Sequence, residues 1–539
     1  MSRYNYRRRR SRAVKVGNIG IGGENPVRLQ SMTNTSTNDI EGSIAQTRRI
    51  YEEGGELVRL TTQGVREAES LGKIRKALRA SGCQVPLSAD VHFNPNAAFA
   101  AADTADKVRI NPGNFVDAAR TFRKLEFTDQ EYAEEIEKIS RALIPFLEKC
   151  RSNGVSIRLG VNHGSLSDRI MSRYGDTPAG MVESVMEYLR ICRKVDFHDI
   201  VISIKASNTC VMTETVRLLV KAMESEGMDY PLHLGVTEAG DAEDGRIKSA
   251  LGIGALLAEG LGDTIRVSLS EDPEREIPVA RMLRDYIAAR EGHTPIKEPE
   301  KVVEGASRDS LDRLTGYEDK IIAMHADRPK AIFFLTDASM PVKNPEFSGP
   351  LTITSRHRNA PGEIMSYIDR FVAAGFHNPM ILRLRYEDTD LDTLRIKAAA
   401  DFGVMLLNGY GSGIEIVAPA FGEDVLGDLE LDILQAARLR MSKTEYIACP
   451  GCGRTLFDLQ NTLKEVKEAT KELKGLKIGV MGCIVNGPGE MADADYGYVG
   501  AGPGRVSLYK GKELVIKNIP TEEALPRLLE LIGTTVGDR

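Results

Sequence analysis

The first half of the chain repeats one pattern of apolar and polar positions. A short apolar run is followed by a polar or charged residue, and then by a longer stretch with apolar residues three or four positions apart. Short apolar runs are typical of buried strands, and the longer stretches are typical of amphipathic helices. Alternating strands and helices favour a parallel sheet with right-handed crossovers. The predicted strands are Val27–Ser31, Leu57–Thr61, Pro86–Val91, Lys107–Asn111, Ser156–Asn162, Ile200–Ala206, Leu232–Thr237 and Thr264–Leu269.

Eight such units in about 260 residues predict an α/β fold of the (β/α)8 TIM-barrel type, for which about 250 residues is typical. A doubly wound open sheet is the alternative. No G-x-G-x-x-G motif follows the first predicted strand, so the sequence does not favour that alternative. We therefore predict a TIM-barrel domain over residues 14–290, with helices such as Asp129–Asn153 and Pro178–Lys194 between its strands.

Two further regions follow the predicted barrel. Residues 291–309 contain two prolines, four glutamates and few apolar positions, which is typical of a linker. Residues 310–441 show a second α/β pattern, in which the apolar run Val404–Leu407 predicts one of several strands. This region has no cysteine and ordinary polar residues at its strand ends, so we expect an inserted spacer domain. Residues 442–539 predict a smaller α+β domain with an amphipathic helix at Asn461–Lys474.

Composition and charge restrict the possible partners. The chain is 42% hydrophobic and 27% charged, with a formal net charge of −6, which argues against general nucleic-acid binding. No apolar run approaches the roughly 18 residues that cross a bilayer. The Arg-rich segment 3–12 has no apolar stretch behind it, so we expect a solvated tail and not a secretory signal. Four of the seven cysteines are scattered singly, which indicates reduced thiols in a cytoplasmic protein.

We expect cationic side chains at the ends of five predicted barrel strands. The active site of a TIM barrel lies at the carboxyl ends of its strands, so these side chains are expected to converge. A single arginine there is more often paired with a carboxylate, but Asp90 and Glu238 could neutralise only two of the five cations. Arginine forks match phosphate oxygens, and lysine adds a mobile charge, so a diphosphate fits better than a lone carboxylate. The five cations are Arg59, Arg109, Arg158, Lys205 and Arg266.

Uncharged and acidic residues accompany these cations. Asn162 ends the fifth predicted strand and is a candidate ligand contact, whereas His92 fits a structural role as well as a functional one. Glu238 follows the seventh predicted strand. A carboxylate in a cationic pocket acts as a base or acceptor, and it would need desolvation or a negative neighbour to donate a proton.

Three cysteines near the C-terminus carry the strongest chemical signal. They lie in Cys449-Pro450-Gly451-Cys452 and in Gly482-Cys483-Ile484-Val485-Asn486-Gly487-Pro488-Gly489-Glu490. Three thiolates can hold an iron–sulfur cluster or zinc, but both usually take four protein ligands. No fourth cysteine and no histidine occur in this C-terminal region of the sequence. A redox dithiol would leave Cys483 without a role. In a [4Fe–4S] cluster one iron would lack a thiolate, and Glu490 is the nearest carboxylate in the motif that could cap it.

Taken together, these motifs resemble those of the 4-hydroxy-3-methylbut-2-enyl diphosphate synthases, the iron–sulfur enzymes of the methylerythritol phosphate route to isoprenoids. The resemblance covers Val14 to about Arg290 and Glu445 to about Ile532. Besides the second cysteine motif, its specific blocks are Gln30-Ser31-Met32-Thr33-Asn34-Thr35, Arg109-Ile110-Asn111-Pro112-Gly113-Asn114, Gly160-Val161-Asn162, Lys205-Ala206-Ser207 and Thr237-Glu238-Ala239-Gly240.

The resemblance implies a two-electron reductive ring opening and dehydration of 2-C-methyl-D-erythritol 2,4-cyclodiphosphate, with ferredoxin or flavodoxin as the electron donor. It implies one [4Fe–4S] cluster on Cys449, Cys452 and Cys483, with Glu490 as the exchangeable fourth ligand. It places Glu238 near the reacting centre, where it handles protons. The residues that it implies for diphosphate binding are Arg59, Arg109, Arg158, Asn162, Lys205, Arg266 and Ser268.

The chain departs from short members of that family by an insert of about 150 residues, approximately 292–441, which a long form carries. In the short form, the cluster domain of one subunit closes over the barrel of its dimer partner. The insert would act as a spacer that lets one chain supply both halves of the site, so a monomer and a homodimer both stay open. Two other classes also stay open: a pterin or sugar-phosphate barrel enzyme with a structural zinc module, and an iron–sulfur electron carrier or iron-sensing regulator.

Overall fold

The structure is a computed structural model that describes residues 2–92, 94–116, 126–240, 242–300, 321–329, 334–338, 350–376, 378–484, 489, 491 and 493–533. The chain forms two compact units. The first comprises Met1–Arg9, Arg246–Leu261 and Arg281–Ser442, and the second comprises Arg10–Gly245, Gly262–Ala280 and Lys443–Arg539. The second unit therefore contains both the predicted barrel strands and the three C-terminal cysteines. The domain bounds 14–290, 310–441 and 442–539 stay a prediction.

Eight parallel strands form the predicted TIM barrel in the second unit, after a short antiparallel pair. The pair is β1 (Val14–Val16) and β2 (Ile19–Ile21), and the barrel strands are β3 (Arg28–Met32), β4 (Leu57–Thr62), β5 (Leu87–Val91), β6 (Lys107–Ile110), β7 (Ser156–Asn162), β8 (Ile200–Lys205), β9 (His233–Leu234) and β10 (Thr264–Ile265). Their spatial order is β8-β7-β6-β5-β4-β3-β10-β9. A bridge between Ile202 and Leu232 joins β8 to the segment that enters β9, which closes the barrel.

Helices separate these strands, and their ends carry the expected capping residues. Thr128 and Glu131 form a reciprocal capping box at one helix, which ends at Gly154 in the left-handed conformation, φ 62°. Two predicted helices, Asp129–Asn153 and Pro178–Lys194, have the bounds that the sequence predicts. Among the described residues, no helix has the length and apolar content needed to cross a membrane. The helices are α1 (Ile40–Glu52), α2 (Val65–Ala80), α3 (Pro95–Thr104), α4 (Asp129–Asn153), α5 (Asp168–Tyr174), α6 (Pro178–Lys194), α7 (Thr209–Ser225), α8 (Ala242–Ala258) and α9 (Glu276–Ala288).

The first unit contains a five-stranded parallel sheet, which confirms the α/β class of the insert. Its strands lie in the order Ile322–Ala323, Gly413–Val417, Met380–Arg385, Leu351–Thr354 and Phe334–Asp337. The predicted strand at Val404–Leu407 is wrong, because these residues form the end of a helix whose apolar side chains are buried. A four-residue apolar run does not distinguish a buried strand from a buried helical turn. The elements are β11 (Ile322–Ala323), α10 (Met324–Asp327), β12 (Phe334–Asp337), β13 (Leu351–Thr354), α11 (Ala360–Ala373), β14 (Met380–Arg385), α12 (Leu391–Leu406), β15 (Gly413–Val417) and α13 (Glu423–Ala436).

The C-terminal residues form a mixed five-stranded sheet in the second unit, as the α+β prediction requires. The elements are β16 (Glu445–Ala448), α14 (Leu459–Thr470), β17 (Lys477–Met481), β18 (Tyr496–Gly502), β19 (Arg505–Lys510), β20 (Glu513–Pro520) and α15 (Thr521–Ile532). The first three strands are parallel and the last three are antiparallel. Apolar residues such as Val466, Val480 and Leu528 pack between the sheet and the helices.

The basic N-terminal arm is not the solvated tail that its charge predicted. Within the first unit, Tyr4 is buried and its hydroxyl donates to Asp369 Oδ2 at 2.5 Å. Arg3 Nη1 donates to the hydroxyl of Tyr410 at 3.3 Å. The aromatic residues that alternate with the arginines anchor this arm, and a count of charges does not reveal them.

Candidate active site

One cavity of the second unit is lined by barrel residues and by the first cysteine motif together. Arg454 of the C-terminal region also lines it, although the sequence reasoning did not single that residue out. Ten of the predicted site residues line this cavity: Arg59, Arg109, Arg158, Asn162, Lys205, Glu238, Arg266, Ser268, Cys449 and Cys452.

The strand register explains how the cations come together. Arg109 on β6 is level with Asp90 on β5 and with Arg158 on β7, so their side chains form one row across three strands. Arg59 is the third residue of β4, and Arg158 is the third residue of β7. The prediction that these two arginines lie at strand ends is therefore wrong. They lie inside the barrel below its mouth, where burial removes them from water.

Asp90 is the anion at the centre of this row. Its Oδ1 lies 3.4 Å from Arg109 Nη1, 3.7 Å from Arg158 Nη2 and 4.0 Å from Arg59 Nη1. Burial raises the pKa of Asp90, but the guanidinium groups of Arg59 and Arg109 outweigh it and hold that pKa well below its usual range. One carboxylate thus lies within 4.0 Å of three cations from neighbouring strands.

His92 belongs to the same cluster and is neutral at physiological pH. Its Nε2 lies 3.5 Å from Asp90 Oδ2, and its ring contacts Arg109. Burial first, and then the positive charge of Arg109, lower the pKa of His92 to about 3. Arg109 also donates from Nη2 to the carbonyl of Gly160 at 3.0 Å and to Asn162 Oδ1 at 3.2 Å. These bonds fix the Arg109 fork in the barrel interior.

Arg266 differs from the other cations because it has a carboxylate of its own. Its Nε and Nη2 donate to the two oxygens of Glu276 at 3.0 and 2.8 Å, and Ser31 Oγ donates to the same carboxylate at 2.7 Å. The sequence reasoning counted only Asp90 and Glu238 as available anions and missed Glu276. In the sequence, Glu276 could have been found from its position at the start of the helix that follows the last barrel strand.

The remaining cations have more hydrogen-bonding capacity than the described residues satisfy. Arg158 is 1% exposed, and its Nε and Nη1 have no hydrogen-bond partner among the residues that the structure describes. Burial, followed by the charges of Arg59 and Arg158, lowers the pKa of Lys205 well below its usual range. Buried donors without partners are costly, and a multiply charged anion in the cavity would satisfy them.

Glu238 joins the barrel to the cysteine loop. It has a left-handed backbone, φ 48°, which is uncommon outside glycine and places its side chain in the cavity wall. A backbone bridge pairs Ala239 with Ala448, the residues that follow Glu238 and precede Cys449. Burial, Cys452 and Glu238 together raise the pKa of the Cys449 thiol. The negative charge of Glu238 therefore acts directly on the cysteine motif.

The cysteines follow two neighbouring parallel strands. Cys449 follows β16 and Cys483 follows β17, so the carboxyl ends of these strands carry both motifs. Gly451, with φ 82°, lets the chain turn so that its N–H donates to Cys449 Sγ at 3.2 Å. Burial lowers the pKa of Arg454, but the nearby Cys452, Asp90 and Cys483 outweigh it and raise that pKa. A soft donor set with backbone N–H groups aimed at sulfur fits an iron–sulfur cluster.

Two observations bear on which metal group the three cysteines can hold. In the described part of the chain, no three His, Cys, Asp or Glu side chains lie close enough together to hold one metal ion. A cubane cluster has its irons at separate corners, so its thiolates lie further apart than the ligands of a single zinc ion. Glu490, the predicted fourth ligand, lies outside the described residues.

A TIM barrel whose buried cations lie beside two cysteines fits an enzyme that binds an anionic substrate next to a metal centre. Two family models match the chain: the GcpE TIM-barrel domain over residues 11–281 and the GcpE protein C-terminal domain over residues 445–534. The chain belongs to the GcpE family, whose members are iron–sulfur enzymes of isoprenoid synthesis.

Curated relatives match the chain over nearly its whole length. A relative from Parabacteroides distasonis is 51% identical, and the match covers 99% of each chain. One from Porphyromonas gingivalis is 47% identical, covering 98% of each, and one from Leptospira interrogans is 38% identical, covering 98% of this chain and 97% of the relative. All three are named 4-hydroxy-3-methylbut-2-en-1-yl diphosphate synthase (flavodoxin).

Some solved structures resemble the chain distantly. A dihydropteroate synthase from Stenotrophomonas maltophilia is 14% identical, with a TM-score of 0.36, over 53% of this chain and 100% of that structure. This likeness is too weak to carry an inference about function.

Proposed function

We propose that this chain catalyses the two-electron reductive ring opening and dehydration of 2-C-methyl-D-erythritol 2,4-cyclodiphosphate to 4-hydroxy-3-methylbut-2-enyl diphosphate. The observation that carries the proposal is a single cavity in which unsatisfied buried cations lie beside two cysteines of a three-cysteine set. Diphosphate binding and electron transfer are the two requirements of this reaction, and the cavity provides residues for both.

The cations would hold the substrate by its diphosphate. Arg158 offers two unsatisfied donors among the described residues, and Lys205 adds a buried positive charge. Charge-assisted contacts to phosphate oxygens are stronger than neutral hydrogen bonds and fix orientation when the donor is a planar fork. This orientation makes the encounter between the sugar carbons and the metal centre effectively intramolecular. Arg59, Arg109, Asn162, Arg266 and Ser268 complete the proposed binding set.

Cys449, Cys452 and Cys483 would hold one [4Fe–4S] cluster, with Glu490 as the exchangeable fourth ligand. When bound, this cluster would supply the two electrons one at a time. Backbone N–H groups such as that of Gly451 stabilise negative charge on the sulfurs. The electrons come from flavodoxin, the donor in the names of the relatives, or from a ferredoxin.

Glu238 is the proposed proton-handling residue, because its carboxylate lies in the cavity wall beside the cysteine motif. The reaction releases a hydroxyl group as water, so a proton must reach the departing oxygen. A dianionic diphosphate next to Glu238 would raise the pKa of its carboxyl group and favour proton donation.

We also propose that one chain supplies both halves of the site, with the inserted domain, residues 310–441, as a spacer. The second unit of a single chain already contains the barrel cations and the cysteine motifs. A monomer and a homodimer both accommodate this arrangement, and a cytoplasmic location stays a prediction. An obligate dimer in sedimentation, in which mixing Arg158→Met and Cys452→Ser chains restores activity, would contradict the proposal.

Turnover under anaerobic conditions tests the function. The protein, reconstituted with iron and sulfide, is given reduced flavodoxin and the cyclic diphosphate, and the linear diphosphate product is quantified. We expect turnover by the wild type and by Arg527→Gln, whose side chain is 54% exposed on α15. Cys452→Ser should abolish turnover and lower the iron content. A protein that binds zinc and no iron, and forms no product, would support the zinc-module alternative.

A further inference from the structure

Arg454 lies where the cysteine loop meets the barrel interior. It follows Cys452 by two residues and is 8% exposed. Its Nη2 is 3.5 Å from Asp90 Oδ2. The guanidinium group lines the same cavity as Cys449 and Cys452. One buried cation therefore contacts the central anion of the barrel and lies in the same cavity wall as two of the three cysteines.

The surroundings of Arg454 differ from those of an arginine that only stabilises a fold. Asp90 already has three guanidinium neighbours from the barrel, so Arg454 is not needed to neutralise it. Its Nε and Nη1 have no hydrogen-bond partner among the described residues. The planar guanidinium group carries five N–H donors, so it can contact an oxygen anion and a thiolate at once.

We propose that Arg454 is a positioning residue with two effects. Through Asp90 it holds the cysteine loop against the barrel, so that the metal centre faces the bound substrate. From the cavity wall that it shares with Cys449 and Cys452, it places a positive charge near the cluster, which raises the reduction potential. The inference rests on the proposed function, because it requires a cluster on these cysteines.

The electrostatic reason is direct. A cluster gains negative charge when it is reduced, and a neighbouring cation stabilises that charge more strongly in a buried site than in water. Net charge and hydrogen bonds to the sulfurs are among the factors that set the reduction potentials of iron–sulfur clusters. Removing the charge of Arg454 should therefore make reduction less favourable.

Two substitutions separate the effects. Arg454→Gln removes the charge and keeps a hydrogen-bond donor. Arg454→Lys keeps the charge but loses the planar fork that contacts Asp90. The control is Arg527→Gln, an exposed arginine of the same C-terminal region.

The measurements are iron and sulfide content, the reduction potential from an anaerobic titration followed by absorption and EPR, and the affinity for the cyclic diphosphate. For Arg454→Gln we expect full iron content. At a fixed potential, its ratio of reduced to oxidised cluster should be about tenfold lower, which corresponds to a reduction potential about 59 mV lower for one electron. Its affinity should fall about tenfold. Arg454→Lys should keep most of the potential but lose a similar amount of affinity, and Arg527→Gln should match the wild type.

Both variants would overturn the inference if they kept the wild-type potential and affinity while containing the cluster. In that case the proposed function would stand. A wild-type protein without iron would instead contradict the proposed function itself. If Arg454→Gln does not retain iron, Arg454→Lys decides the matter, because wild-type affinity in that variant overturns the positioning role.

Discussion

Two buried charge networks, one in each unit, use the same residue types in opposite ways. In the first unit, Asp401 pairs with Arg290 and accepts hydrogen bonds from the hydroxyls of Tyr286 at 2.6 Å and Tyr386 at 3.1 Å. The second Arg290 nitrogen donates to Asn359 at 3.4 Å. One cation thus meets one anion, and neither side chain has a buried polar atom without a partner in the described part of the chain.

In the second unit, Asp90 is shared by three barrel arginines and by Arg454. Arg158 is as deeply buried as Arg290, but two of its nitrogens lack partners among the described residues. A network that serves the fold is balanced, because unpaired buried charge is costly. A network that keeps an excess of cations fits a role in holding an anion that the fold does not supply.

Removing the anion of the balanced network should have the greatest consequence for stability. Asp401→Asn leaves the buried Arg290 without its counter-charge, so we expect a loss of about 3–5 kcal/mol in unfolding free energy, measured by anaerobic urea unfolding. Asp392→Asn is the matched control, because Asp392 lies on the same helix with a side chain that is 46% exposed. Its loss should stay below about 1 kcal/mol. Equal effects in the two variants would remove the distinction between the networks.

The next effect concerns the unbalanced network. Arg158→Met removes one of several cations around Asp90, so kcat/KM for the cyclic diphosphate should fall roughly 10²–10³-fold, the cost of losing one preorganised donor. The free energy of unfolding should stay equal or rise, because an uncompensated buried charge is lost. Arg141→Met, on an arginine that is 73% exposed, is the control. A destabilisation of Arg158→Met as large as that of Asp401→Asn would show that Arg158 is structural.

The smallest effect is a difference in pH dependence between two histidines. His92 has its pKa lowered to about 3 by burial and then by Arg109, so between about pH 3 and 6.5 the unfolded state binds a proton that the folded state does not. Stability therefore rises with pH in that window. His325 in the first unit has a raised pKa because it hydrogen-bonds Glu430, so its contribution is full below pH 6.5 and is lost as pH rises through the folded pKa.

Urea unfolding at pH 5.5, 6.5 and 7.5 measures both slopes. His92→Gln should flatten the rise of stability between pH 5.5 and 6.5 by at most about 1.4 kcal/mol per pH unit. Part of that rise should remain, because burial and Arg158 also lower the pKa of His233. His325→Gln should instead reduce the loss of stability above pH 6.5. Identical changes of slope in both variants would contradict these assignments.

The sequence predicted the barrel because each strand has a distinct apolar run. The strand predicted at Leu57–Thr61 is β4, Leu57–Thr62, and the two helices predicted at Asp129–Asn153 and Pro178–Lys194 have the predicted bounds. The predicted cations converge because parallel register, which alternating strands and helices imply, brings Arg109 level with Arg158.

Contacts between distant segments could not be predicted in this way. Glu276 pairs with Arg266 only because a helix start lies beside a strand end, and Arg454 reaches Asp90 across 364 positions of the chain. The arm residue Tyr4 is buried against the insert for the same reason. Periodicity describes which face of an element is buried, but it does not identify the side chain that packs against it.

We propose that the cationic barrel and the three cysteines form one site. The most direct test is the absorption and EPR spectrum of anaerobically purified protein before and after the cyclic diphosphate is added, in the wild type and in Arg158→Met. We predict about four irons per chain, a spectrum that changes with substrate, and a higher substrate concentration for the same change in Arg158→Met. A cluster spectrum that stays the same at saturating substrate, or a colourless protein with stoichiometric zinc, would contradict the claim.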